Sequence, residues 1–360
     1  MSGARVAAAA GLPLRVAHAS QPIAAARQAG VFWPVVDVVA PSEVTMSHAL
    51  GLLVSLLALA AAPAWAAKPR IAMIPKGTTH VFWKTVEAGA REAAADLDVD
   101  LVWKGPLKEN DRGQQIAIVE QFVTEGVAAI AVAPLDAAAL RRPVSLAGQR
   151  KIPVVIFDSA LQGEAGKDFV SLVATDNRRG GQLGGETLAA RLGGKGKVVL
   201  LRYQVGSAST DEREAGCAAA LAAQPGIEVI SDNRYSGATA GEAKTVALNM
   251  LDTLRKADGI FCPNESSTFG MLLALRQNNL AGKVKFVGFD TSPVLIEALR
   301  KGEIDALVAQ DPRTMGRRAV TAAVHHLQGK PVEPVIDTGV AVVTRDNVDA
   351  PEIQKILQLP

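Results

Sequence analysis

The chain has 360 residues, 49% of them hydrophobic but only 4% aromatic, which suits helices packed on a sheet better than an all-β sandwich. A formal charge of +2 gives no electrostatic footprint for a nucleic-acid partner. Cys217 and Cys262 are too few for a disulfide scaffold and no Cys/His spacing matches a zinc site, so two buried free thiols are favoured over one disulfide, with no metal and no cofactor expected.

From Met46 the chain reads MSHALGLLVSLLALAAAPAWA, with an apolar run from Leu50 to Ala62 and then Ala64-Trp65-Ala66. The run is too short to span a bilayer comfortably, and a short apolar core before A-x-A reads as a secretory signal, residues 46–66, cut before Ala67. Only His48, and no Lys or Arg, stands between Met46 and that run. Residues 1–45 are alanine-rich without a sustained period and precede a segment that normally comes first. They read as a mis-annotated extension, with Met46 as the initiator. The expected location is the periplasm.

After Lys68, short β-branched runs alternate with longer amphipathic stretches. The first series predicts strands over Arg70–Pro75, Asp100–Lys104, Ala129–Ala133 and Val154–Phe157, with helices over Phe82–Asp96, Asp111–Glu125 and Ala137–Gln149. A second series predicts strands over Phe169–Ala174, Lys197–Leu201, Glu228–Ile230, Gly259–Cys262 and Lys285–Gly288. Its helices are Gly180–Leu192, Asp211–Ala223, Ala240–Leu254 and Ser266–Gln277. Apolar strands separated by helices mark parallel sheets covered on both faces. Ala129–Asp136 and Asp258–Glu265 both run strand, proline, polar residue, helix, so one plan is used twice. Two doubly wound α/β lobes follow, with ligand expected beyond the carboxyl ends of the strands.

The strand ends supply the candidate site. The first is followed by Lys76 and the adjacent aromatics Phe82 and Trp83, whose faces suit the C–H faces of a sugar or else seat their helix on the sheet. Asp158 ends the fourth strand, where a carboxylate needs donors, either ligand hydroxyls or an arginine. Thr210 or Ser209 caps the helix that carries Asp211 in its first turn, and Arg213 projects either to the cleft or to solvent. Asn264 is placed to cap the next helix or to touch ligand, and Asp290 poses the same choice. Enzymatic motifs are missing: there is no H-E-x-x-H and no G-x-S-x-G, and Gly193-Gly194-Lys195-Gly196-Lys197 lacks the spacing of a phosphate loop. His325 and His326 read as helix-surface residues.

Over nearly all of residues 69–345 the chain resembles the ribose-type periplasmic binding proteins, a fold shared with sugar-responsive repressors. The segments that carry the likeness are Phe82-Trp83, Ile152–Asp158, Ala174–Asn177, Glu212–Gly216, Val287–Asp290 and Val308–Pro312, in that order and spacing. The resemblance implies sugar contacts at Phe82, Trp83, Asp158, Arg213, Asn264, Asp290 and Gln310. It also implies a three-stranded hinge with crossovers near Ala174–Thr175, Ala309–Asp311 and Gly339–Val340. The lobes would then be residues 68–174 with 311–339, and 175–310 with 340–360. Ribose binders usually carry Arg where this chain has Ser159, and an aromatic near Ala238. Ile74-Pro75-Lys76, Gly105-Pro106, Asp158-Ser159, Thr210-Asp211 and Pro263 look instead like the branch that binds rhamnose or a furanosyl autoinducer, where the matching Lys76 and Asp211 touch ligand. The implied protein is a monomeric, non-enzymatic receptor that closes on a monosaccharide-like ligand for an ABC permease. A secreted sensor presenting ligand to a membrane receptor is the alternative. A repressor is disfavoured, since residues 1–68 hold no helix-turn-helix pattern.

Overall fold

The computed structural model describes residues 67–357, so the signal segment, its cut and residues 1–45 lie outside the described residues. Strands β1 (Arg70–Ile74), β2 (Asp100–Trp103), β3 (Ala129–Val132), β4 (Val154–Phe157), β5 (Ser171–Ala174) and β11 (Val335–Asp337) form one sheet in the order β11-β5-β4-β3-β1-β2. Every pairing in it is parallel. The second sheet holds β6 (Lys195–Leu200), β7 (Gly226–Ser231), β8 (Gly259–Cys262), β9 (Lys285–Phe289), β10 (Ala306–Gln310) and β12 (Val340–Val343), ordered β12-β10-β9-β8-β6-β7. Only β12 runs antiparallel to its neighbour. Central strands such as β3, β4 and β8 are buried at every residue, as continuous apolar runs covered on both faces must be.

The helices are α1 (Val81–Asp96), α2 (Arg112–Glu125), α3 (Arg141–Gln149), α4 (Asn177–Arg191), α5 (Ala208–Ala222) and α6 (Ala240–Asn249). They continue with α7 (Leu251–Leu254), α8 (Glu265–Gln277), α9 (Pro293–Lys301), α10 (Pro312–Leu327) and α11 (Pro351–Ile356). The two halves repeat one another closely. The matched segments Ala129–Asp136 and Asp258–Glu265 enclose β3 and β8, which hold the same place in their sheets. Helices α4 and α10 both follow a passage of the chain from one sheet to the other. Each is capped by an aspartate accepting a backbone N–H: Asp176 from Arg179 and Asp311 from Thr314, both at 2.9 Å.

Each of these helices also meets a partner at glycine. A Cβ on Gly89 of α1 would lie 1.9 Å from the carbonyl oxygen of Arg313 in α10, and one on Gly181 of α4 1.9 Å from that of Arg213 in α5. Backbone meets backbone at both places.

Three expectations are corrected. The strand at Ser171–Ala174 belongs to the first sheet, beside β4, because the chain between them forms no helix and carries it straight back alongside. The helix expected over Ala240–Leu254 is broken at Met250. The helix expected from Ala137 begins at Arg141, since Asp136 Oδ1 first accepts the N–H groups of Ala138 and Ala139 in a turn. Cys217 and Cys262 are free and buried. His325 is half-buried and His326 exposed, both in the last turn of α10.

Candidate ligand site between the two lobes

The carboxyl ends of the two sheets face each other across a small, polar-lined cavity. On the first-lobe side, Lys76 follows β1 and sends Nζ to within 3.1 Å of Asp158 Oδ2. The same ammonium donates to Ser209 Oγ at 2.9 Å and Ser207 Oγ at 3.3 Å in the opposite lobe. Lys76 is 2% and Asp158 3% exposed, so each charge depends on the other. Asp158 sits at φ 62°, where non-glycine residues are uncommon. Its backbone N–H still donates to Val173, extending the sheet by one rung. The next residue, Ser159, accepts the N–H of Ser209 on Oγ at 3.1 Å, a further bond between the lobes.

Phe82 and Trp83 meet edge to face at 4.9 Å, and Trp83 packs on Phe157. Both aromatics belong to the first-lobe core and both line the cavity, so seating the helix and facing a ligand are compatible roles. The indole N–H of Trp83 is taken by Glu109 Oε1 at 2.7 Å, which leaves Trp83 only its ring to offer. Glu109 also meets His80 Nδ1 at 2.6 Å and accepts the Tyr203 hydroxyl of the second lobe on Oε2 at 2.8 Å. Burial works against the charge of His80, but Glu109, with Glu265 and Asp290 behind it, holds its pKa up at about 9. Glu109 answers in kind: burial opposes its charge, yet His80, Lys76 and the Trp83 N–H hold it down at about 2.

On the second-lobe side Arg213 settles its own orientation. It is 2% exposed, and donates from Nε to Asn177 Oδ1 at 2.8 Å and from Nη1 to the Pro263 carbonyl at 3.1 Å. Its guanidinium lies 4.0 Å from the Phe289 ring centroid. Asp290 mirrors Asp158: it ends β9 at φ 68° with its N–H on Val308, one strand over. It accepts from Gln310 Nε2 at 2.6 Å and from the Glu265 N–H at 2.9 Å. Burial raises its pKa, and Arg213 offsets part of that rise. Asn264 caps α8 through a reciprocal bond pair with Ser267 and also lines the cavity. Glu265, the first residue of α8, is raised by burial to about 7 against the pull of His80 and the Phe82 N–H.

Among the described residues two buried side-chain atoms lack a partner, Arg213 Nη2 and Gln310 Oε1, and both residues line this cavity. One is a donor and the other an acceptor, and buried polar groups are normally satisfied. Lys76, Phe82, Trp83, Asp158, Arg213, Asn264, Asp290 and Gln310 are thus brought together. Asp211 is not: it lies exposed in the first turn of α5, outside the cavity lining. The helix starts earlier than expected, with Ser207 at the N-cap position, so neither Ser209 nor Thr210 caps it and both face the cavity instead.

Sequence reasoning missed His80, Glu109, Tyr203 and Glu265. Glu265 directly follows Asn264 at a recognised strand end, so its position was a usable signal. Glu109 and Tyr203 stand in loops whose pattern marks nothing. No group of His, Cys, Asp and Glu among the described residues is arranged to hold a metal ion.

A family profile described as a periplasmic binding protein domain matches residues 71–331. The ribose import binding protein of Haemophilus influenzae is 29% identical over 293 residues, covering 80% of this chain and 96% of that protein. A carbohydrate transporter solute-binding protein of Agrobacterium radiobacter, solved with D-arabinose, superposes with a TM-score of 0.77 at 32% identity, covering 82% of this chain and 100% of the other. An ABC transporter solute-binding protein of Agrobacterium vitis with bound D-fucose gives 0.77 at 33% identity, covering 79% and 99%.

Proposed function

Since this chain belongs to the periplasmic binding protein family, we propose that it is the periplasmic receptor of an ABC importer and closes around a monosaccharide or similar small polyhydroxylated ligand. The observation that carries the proposal is the pair of orphaned atoms, Arg213 Nη2 and Gln310 Oε1, in a cavity between two lobes. A hydroxyl is both donor and acceptor, so a polyol satisfies both atoms at once. Asp158 and Asp290, presented from equivalent strand ends of opposite lobes, offer acceptors to further hydroxyls, and Phe82 and Trp83 supply an apolar wall. Residues 68–174 with 311–339 and residues 175–310 with 340–360 move as rigid lobes about three connections, and ligand shifts an existing equilibrium toward closure.

A thermal-shift screen over pentoses, hexoses, deoxysugars and polyols tests this, because a ligand that binds only the folded protein raises its melting temperature. Small-angle scattering with the hit should show a smaller radius of gyration. No shift with any of these sugars, or binding at an unchanged radius, would count against the proposal.

Affinity should also depend on pH in a definite direction. His80 is held protonated chiefly by Glu109 of its own lobe, and Glu265 and Asp290 of the second lobe add to that hold on closure, so this added contribution is present at low pH and lost as pH rises through about 9. Glu265 loses acidity through burial, with Asp290 and Glu109 adding to the rise and His80 offsetting part of it, so closing on its ionised form is costly, and that cost grows as pH rises toward about 7. Both act the same way. Calorimetric titration should find affinity falling by roughly tenfold or more between pH 6 and pH 9. A flat or rising profile would contradict it.

A further inference from the structure

Two carboxylates cross the cleft in opposite directions. Glu109, in the loop after β2 of the first lobe, accepts the Tyr203 hydroxyl of the second lobe at 2.8 Å, and its backbone carbonyl accepts Gln204 Nε2 at 2.6 Å. Glu265, at the start of α8 in the second lobe, accepts the backbone N–H of Phe82 in the first at 3.2 Å. That N–H needs a partner from elsewhere. The first N–H groups of a helix have none within it, and His80, at the N-cap of α1, supplies no side-chain cap. The start of α1 is therefore capped from the other lobe, and only while the lobes are together. Glu109 is meanwhile fixed within its own lobe by Trp83 and His80, so Tyr203 meets an acceptor already in place. These bonds join protein to protein.

We propose that Glu265 and Glu109 are positioning residues that form a reciprocal latch, holding the lobes shut directly and fixing the first turn of α1, which carries Phe82 and Trp83 to the cavity. The latch gives the ligand-free protein a closed population. With ligand inside, it acts on escape more than on entry, because the bonds that must break first are those between the lobes. The statement about escape rests on the function proposed above; the statement about the ligand-free protein does not.

The test compares wild type with Glu265→Ala, Glu265→Gln and Tyr203→Phe, each checked for folding by circular dichroism and thermal melting. Scattering without ligand should show Glu265→Ala and Tyr203→Phe shifted to a larger radius of gyration than wild type. Glu265→Gln, whose amide oxygen can still accept the Phe82 N–H, should stay near the wild-type radius. With a sugar that binds, stopped-flow should give dissociation roughly five- to tenfold faster for Glu265→Ala and Tyr203→Phe, with association within about twofold of wild type. Ligand-free radii identical to wild type in both variants would overturn the latch. So would a loss in Glu265→Ala that Gln does not rescue, since that result assigns Glu265 to the ligand through its charge. If no sugar binds any variant, the proposed function fails while the ligand-free radii still decide the latch.

Discussion

Replacing Asp158 with alanine is expected to weaken ligand binding by at least about a hundredfold while leaving the ligand-free protein folded. Two losses combine. A carboxylate that accepts ligand hydroxyls in charge-assisted bonds is worth about 1.5–3 kcal/mol. Its removal also leaves the Lys76 ammonium, 3.1 Å away and buried, without its counter-charge. Breaking one side of a buried ion pair costs about 3–5 kcal/mol. The second cost falls on closure more than on folding, because Ser207 and Ser209 of the opposite lobe complete the burial of Lys76 and withdraw when the lobes part. Calorimetric titration beside thermal melts of the ligand-free variant separates the two. The double variant Asp158→Ala/Lys76→Met should close again, since the stranded charge is gone, yet still bind more weakly than wild type. Wild-type affinity in folded Asp158→Ala would remove the aspartate from the ligand's partners.

Gly181→Ala is expected to lower both stability and affinity, although the residue touches no ligand. Its new methyl would stand 1.9 Å from the Arg213 carbonyl oxygen, a backbone atom with nowhere to turn, so α4 and α5 must separate by more than an ångström. Overpacking of this kind costs about 1–3 kcal/mol, or roughly 3–10 °C in melting temperature for a domain of this size. The displaced segment of α5 is the one that aims Arg213. Its bonds to Asn177 and Pro263 then lose their geometry, and affinity should fall by roughly tenfold or more. Gly148→Ala, in α3 with nothing within 4 Å of its Cβ, is the matched control and should leave affinity unchanged and stability unchanged or slightly raised. Wild-type melting in Gly181→Ala would show that the helices part without cost.

What was legible in the sequence follows from how far each signal reaches. Strands β3, β4 and β8 are apolar runs in their own right, and the helices between them carry their own period, so both lobes could be outlined before any contact was known. Asp158, Asp290 and Asn264 were recognisable because each stands at a strand's carboxyl end, a position fixed by local pattern. Arg213 was not decidable: whether an arginine in the first turns of α5 faces solvent or cleft depends on Asn177 and Pro263, distant in the chain. Glu109 was invisible for the same reason, since its partners His80 and Trp83 stand at the start of α1 and Tyr203 follows β6, both distant in the chain. Asp211 is the opposite case. The match of a dipeptide carried it into the site, but the helix begins at Ala208, and that start turns residue 211 outward.

The passage of the chain back and forth between the sheets sets when either lobe can be finished during synthesis. Helix α10 gives Met315, Ala319, Val320 and Ala323 to the core of the first lobe, and β11 closes that sheet's edge, yet both are made after nearly all of the second lobe. The second sheet in turn waits for β12 at residues 340–343. A growing chain of about 300 residues therefore holds two incomplete cores, and contacts so far apart in sequence form slowly. For a protein that must thread a membrane before it folds, as proposed here, late completion is an advantage. The interleaved topology keeps the polypeptide loose until its last segments have been made.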